Sequence, residues 1–195
     1  LMLAARTGKE MPWGSLTGIR PTKIALTRLE EGWKEEDIRS FMKETYLASD
    51  DKIDLSIEIA AREKKLLEPL DYERGYSLYV GIPFCPTTCL YCSFTSYPIE
   101  KWRGRTGLYL EALFKELEYT ARKMEGRPLD TVYFGGGTPT SLPAEDLEAL
   151  LSRLEQLFDL SRVLEFTVEA GRPDSITPDK LKVLRDHGIT RISIN

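Results

Sequence analysis

The sequence predicts an α/β protein: a small all-helical segment, residues 1–70, followed by a parallel sheet with covering helices over residues 71–195. Three observations carry that reading. Apolar residues recur at helical spacing through the first third of the chain. The composition then changes after a short linker bracketed by Pro69 and Gly75. Beyond it, short apolar runs alternate with long amphipathic stretches in the order βαβαβαβ, and such alternation implies parallel strands joined by helical crossovers.

Residues 22–67 carry the helical pattern, with Arg20-Pro21 where a first helical turn begins. Ile38, Phe41, Met42 and Tyr46 share one face, and Ile53, Ile57, Ala60 and Ala61 share another. Gly32 and Trp33 separate the first two helical stretches, and Ser49-Asp50 starts the last. Past the linker, Tyr76–Ile82 reads as a strand. Residues 108–124 form a helix whose stripe is Leu110, Leu113, Phe114, Leu117, Ala121 and Met124. A second strand at 131–134 leads to a helix carrying Leu147, Leu150, Leu151, Leu154, Leu157 and Phe158 at helical spacing. Residues 164–168 are the third strand, 178–187 the third helix, stopped by Gly188, and 191–194 the fourth strand. A parallel sheet is normally buried on both faces, yet no helix follows the fourth strand. The first residue is not Met and nothing resembles a domain boundary at Asn195. The expectation is therefore a piece cut at both ends, inactive and weakly stable by itself because its last strand exposes an unpaired edge.

Hydrophobic residues at 42% and charged residues at 30% describe an ordinary globular chain. No apolar run approaches the ~20 residues of a membrane helix. The opening Leu1-Met2-Leu3-Ala4-Ala5 runs straight into Arg6 and Lys9, unlike a signal peptide, so a cytoplasmic location is expected. With 27 basic and 31 acidic residues and no basic cluster, nucleic acid is excluded as a partner.

The only three cysteines, Cys85, Cys89 and Cys92, lie on one loop after the first strand in a C-x-x-x-C-x-x-C pattern. An odd number at such short spacing is not a disulfide framework. A four-iron [4Fe-4S] cluster held by three thiolates keeps one iron open, and the methionine moiety of S-adenosylmethionine can chelate it through its amino and carboxylate groups. A structural zinc site is the alternative, with His187 as the single soft fourth ligand, at the end of the sheet opposite the cysteines. Plain buried thiols are a second alternative.

The second strand ends in Gly135-Gly136-Gly137-Thr138-Pro139-Thr140, with Pro143, Glu145 and Asp146 opening the next helix. Such glycines let the backbone approach a ligand and present N–H groups to it, or simply make a tight turn. No Gly-Lys-Ser/Thr follows, which excludes a P-loop. The third strand ends in Glu169-Ala170-Gly171-Arg172-Pro173, and its carboxylate can accept hydrogen bonds from a ribose or an amino group, or stand as a solvated loop acid. What joins these signals is their position at successive strand ends, where α/β sheets and barrels place their sites.

Taken together, Tyr79-Val80-Gly81-Ile82-Pro83-Phe84-Cys85, the cysteine triplet, the glycine string, Glu169, and Leu16-Thr17-Gly18-Ile19-Arg20-Pro21-Thr22-Lys23 resemble a known family. It is the radical S-adenosylmethionine superfamily, within it the oxygen-independent coproporphyrinogen III oxidases, and within those the HemZ-like coproporphyrinogen dehydrogenase branch. The resemblance implies the first four strands of a partial (βα)6 barrel. It also implies Cys85, Cys89 and Cys92 as ligands of the cluster, and Gly136, Gly137, Thr138 and Glu169 as contacts of S-adenosylmethionine. Tyr79 and Tyr91 fall at cofactor-contacting positions of the family, or pack as plain aromatics beside the cluster. The implied reaction is oxidative decarboxylation of coproporphyrinogen III propionates to vinyl groups through a 5'-deoxyadenosyl radical, with a porphyrinogen and an electron donor as partners. Lys101, Arg103, Arg105 and Arg172 lie near the expected site face, and none is assigned to the substrate; no catalytic acid or base is assigned either. Two positions differ from the best-known oxidases: Gly81 replaces a histidine, and Ser93-Phe94 follows Cys92 where those have a further cysteine. Relatives with the shorter cysteine pattern are haem chaperones, so binding and delivery of haem is the competing reading.

Overall fold

Helices form where apolar residues recur every third or fourth position, and the computed structural model shows what each stripe covers. It describes residues 2–194 except Glu10, Ile19 and Tyr72, with the backbone alone at Met2 and Leu3; Ile19 of the 16–23 string and Asn195 lie outside the described residues. The chain divides into two compact units, residues 1–70 and 71–195.

In the first unit, α1 (Met2–Thr7), α2 (Pro21–Glu30), α3 (Glu35–Tyr46) and α4 (Asp50–Leu67) follow one another. Pro21 occupies the first turn of α2, where its missing N–H has no helical partner to lose. Ala25, Ile38, Met42, Ile53, Ile57 and Ala60 make the core, each at most 4% exposed. Ala61, expected on that face, is exposed. Ala60 takes the centre of the stripe, and the next residue, rotated by about 100°, falls outside it. Helix α1 was not expected from the sequence.

The second unit contains β1 (Tyr76–Ile82), β2 (Phe84–Cys85), β3 (Tyr97–Pro98), α5 (Thr106–Lys123), β4 (Leu129–Gly136), α6 (Ala144–Leu157), β5 (Glu165–Glu169), α7 (Pro178–Asp186) and β6 (Arg191–Ser193). The main sheet is parallel throughout, ordered β1-β4-β5-β6, so each successive strand lies beside the one before it. A doubly wound sheet reverses direction at its first strand; this one never does. Helix α5 packs on α6 and α6 on α7, putting the crossovers in a row. That is the arrangement of a partial barrel, left open among the described residues because β1 and β6 do not pair with each other.

The two faces of the sheet differ. Val80, Ile82, Val132, Phe134, Phe166 and Val168 pack with Leu110, Leu113, Leu117, Leu147, Leu150 and Leu154 of the helices into one core. The intervening residues point the other way, and the register sets them in cross-strand rows. Ser77 faces Thr131, which faces Glu165; Tyr79 faces Tyr133, which faces Thr167, which faces Arg191. Thr131 Oγ1 donates to Ser77 Oγ at 2.7 Å within the first row, and Thr167 Oγ1 and Arg191 donate to Glu165 at 2.7 and 3.2 Å, joining the two rows.

Candidate functional site

The site begins where β1 ends. Pro83 separates β1 from the two-residue β2, and the chain leaves into the cysteine loop before returning as β3, which pairs with β2 in parallel. The Tyr97 N–H donates to Pro83 O at 2.8 Å, and the Cys92 N–H to Cys89 O at 3.0 Å. Phe84, at 3% exposure, meets Tyr109 of α5 edge-on, and the Tyr109 hydroxyl donates to Gly81 O. The base of the loop is thus anchored in the core while its tip is open: Leu90, Tyr91 and Phe94 are exposed.

The end of β4 is zipped to this strand. Gly137 N–H donates to Ile82 O and Thr138 N–H to Phe84 O, both at 2.7 Å, and Thr138 Oγ1 lies 3.5 Å from Cys85 Sγ. At Gly137 a Cβ would stand 2.6 Å from Phe84 O and 3.0 Å from Cys85 Sγ, so no other residue lets the strands approach so closely. Gly136 has φ +109, a backbone state that side chains rarely adopt. The N–H groups of Gly137 and Thr138 are therefore occupied by β1 and β2 carbonyls, so Gly137 supplies close approach of the strands rather than a free N–H group.

The third contribution comes from β5. Glu169 accepts a 2.7 Å hydrogen bond from the Tyr133 hydroxyl, and Tyr133 stacks on Tyr79 with centroids 5.7 Å apart and planes at 12°. That hydrogen bond, helped by burial and the carboxylate's charge, pushes the Tyr133 phenol up to about 12. Burial and then Glu169 also raise Tyr79. Tyr133 thus acts as a donor that holds the carboxylate in place.

All nine residues singled out by the sequence (Tyr79, Cys85, Cys89, Tyr91, Cys92, Gly136, Gly137, Thr138 and Glu169) border one cavity of about 580 Å³. Among the four cations expected there, Arg172 borders it too. Arg103 instead pairs with Glu100, and Arg105 sits 5.6 Å over the Trp102 ring; neither they nor Lys101 reach the cavity. His187 is held by Glu155 at 2.8 Å and Glu148 at 3.1 Å and does not line it. Burial pulls its pKa down, but the two carboxylates outweigh that and leave it raised.

The thiols are free and half-buried. Among the described residues, no three His, Cys, Asp or Glu side chains are grouped closely enough to hold a single metal ion. A cubane cluster asks for something else, since each thiolate takes its own iron and the sulfurs stand apart around one volume. Three thiols on one cavity, with glycine backbone against Cys85, fit that demand, and the donor set leaves an iron without a protein ligand.

Sequence reasoning missed Tyr133 and the reach of Arg172 to the cysteine loop. Tyr133 had a usable signal: it precedes Gly135 by two residues and so shares its face.

The family model described as Radical SAM superfamily matches residues 79–195. The chain is 43% identical over 198 residues to the oxygen-independent coproporphyrinogen-III oxidase-like protein HemZ of Bacillus subtilis (strain 168), which covers all of this chain and 40% of that protein. It is 41% identical over 118 residues to the heme chaperone HemW of the same organism, covering 60% of this chain and 30% of HemW. Among solved structures it is similar to coproporphyrinogen III oxidase (HemN) from Escherichia coli, a radical SAM enzyme, with TM-score 0.55 and 31% identity over 67% of this chain and 30% of that one. The chain spans less than half the length of each.

Proposed function

The chain belongs to the radical SAM superfamily, and on that premise we propose that it is the cofactor-holding part of an oxygen-independent coproporphyrinogen III oxidase of haem biosynthesis. The observation that carries the reading is the meeting of three thiols, the Gly136-Gly137 backbone and Glu169 on one cavity at the C-terminal ends of β1, β4 and β5. When bound, a [4Fe-4S] cluster and S-adenosylmethionine would supply reductive carbon–sulfur cleavage, giving a radical able to take hydrogen from a propionate, whose loss of carbon dioxide and of one electron to a separate acceptor would leave a vinyl group. Cys85, Cys89 and Cys92 hold the cluster. Gly136 and Gly137 let the end of β4 close against Ile82, Phe84 and Cys85 and border the cavity that would take S-adenosylmethionine, with Thr138 at the Cys85 sulfur. Glu169, fixed by Tyr133, accepts hydrogen bonds from the ligand's ribose or amino group. Tyr79 and Tyr91 flank the cavity. The small-molecule partner is a porphyrinogen, and a separate electron donor feeds the site.

A second reading is supported by Gly81 and Ser93 and by the 41% identity to HemW: a radical SAM protein that binds and delivers haem. Product analysis separates the two. The full-length protein, reconstituted anaerobically with iron and sulfide, is expected to convert coproporphyrinogen III to a vinyl-bearing product. Iron binding and S-adenosylmethionine cleavage with the porphyrinogen untouched sinks the oxidase reading, and haem retention without conversion favours the chaperone. Zinc uptake without broad iron–sulfur absorbance sinks both.

A further inference from the structure

We infer that Arg172 is a positioning residue that donates a hydrogen bond to the Cys89 sulfur and thereby makes a bound cluster easier to reduce. The inference rests on the reading above that Cys89 is a cluster ligand. Arg172 lies three residues beyond β5, and its guanidinium is shared between two tasks. One edge is clamped by Asp174, with Nε 3.1 Å from Oδ1 and Nη2 2.6 Å from Oδ2, the two-pronged pairing for which the planar fork is suited. The other nitrogen, Nη1, points into the cysteine loop, 3.1 Å from Thr87 Oγ1 and 3.4 Å from Cys89 Sγ.

The backbone beneath is equally fixed. Ser175 Oγ donates to Arg172 O at 2.6 Å and lies 2.6 Å from Thr140 Oγ1. Lys180 Nζ donates to Thr140 O at 2.6 Å and to Ser175 O at 2.9 Å, locking the loops after β4 and β5 together. Asp174 fixes the direction of Nη1 and offsets its charge, so Cys89 meets an aimed N–H rather than a diffuse cation. Hydrogen bonds to cluster sulfurs withdraw electron density and favour the reduced, more negative state.

The test is an EPR-monitored reductive titration of the full-length, reconstituted protein with dithionite. Arg172→Ala is expected to keep its iron and sulfide content and to lower the midpoint potential by about tenfold in the reduction equilibrium, about 59 mV for one electron. Arg172→Lys, which keeps charge without the fork, is expected to recover less than half of the shift. An unchanged potential in the alanine variant, or full recovery by lysine, overturns the assignment. Should the alanine variant lose its cluster, Thr87→Val removes the acceptor that competes for Nη1 while Asp174 keeps it aimed at Cys89; a small upward shift supports the inference, and no shift or a downward one overturns it. Failure of the unaltered protein to take up a cluster is a different result, and defeats the proposed function instead.

Discussion

The two faces of one sheet are built by different rules. On the helix side, Val80, Ile82, Val132, Phe134, Phe166 and Val168 are at most 4% exposed and belong to one apolar core. On the other side, the same strands present Ser77, Tyr79, Thr131, Tyr133, Glu165, Thr167 and Glu169, tied by two cross-strand hydrogen bonds, one bond within β5 and one aromatic stack. Parallel strands covered on both faces read as continuous apolar runs. Alternation in a parallel strand therefore marks a face left uncovered by its own helices, and here that face leads up to the cysteine cavity. Stability is concentrated on one side and chemistry on the other.

That division can be broken or sharpened by substitution. Phe134→Ala, on the apolar face, is expected to lower unfolding free energy by about 3–5 kcal/mol in urea titration, through lost burial and the cavity left behind. Gly137→Ala, at the rim where the faces meet, is expected to cost about 1–3 kcal/mol, because a Cβ is forced against Phe84 O and Cys85 Sγ. Cluster loading of that variant, read from iron content, should fall with it. Tyr133→Phe, on the polar face, removes only the donor to Glu169: about 1 kcal/mol of stability, with S-adenosylmethionine affinity expected to weaken about fivefold in calorimetry, a comparable energy.

The same pair has a pH signature. A phenol whose folded pKa is raised above its unfolded value, near 10, contributes stability that is complete below pH 10 and is lost as pH rises through about 12. Ultraviolet titration is expected to show its latest tyrosine transition lost in Tyr133→Phe and returned toward 10 in Glu169→Gln. The smallest effect belongs to Thr131→Val, whose partner Ser77 is exposed to water: within about 0.5 kcal/mol in the same urea titration. A Thr131 effect matching that of Phe134 would erase the distinction between the faces.

Long periodic elements were legible in the sequence because each carries its own signal. Helices α5, α6 and α7 fall within two residues of their expected limits. Strand β4 runs longer than the expected 131–134, since Leu129 pairs with Tyr76 at one end and Gly135 and Gly136 pair with Gly81 and Ile82 at the other. Leu164, expected to begin β5, precedes it and is exposed. The β2–β3 pair was invisible, as two residues have no periodicity and their pairing depends on where the loop returns. The cysteine triplet, the glycine string and Glu169 stood out because strand ends are fixed by the run that precedes them, whereas Tyr79 and Tyr91 were named on the family resemblance. The contacts of Tyr133 with Glu169 and of Arg172 with Cys89 did not stand out, because they depend on register between strands and on side-chain reach across two loops.

The short β2–β3 ladder divides the molecule in time as well as in space. Phe84 and Cys85 are tied to Tyr97 and Pro98, so residues 86–96 form a closed loop whose ends are fixed by strand pairing. Opening of that loop need not loosen the sheet, since local fluctuations follow cooperative units. Deuterium uptake should therefore separate into two populations. Amides of β1, β4 and β5 exchange slowly whether or not a cluster is present, while those between Thr87 and Ser96 slow markedly once iron and sulfide are incorporated.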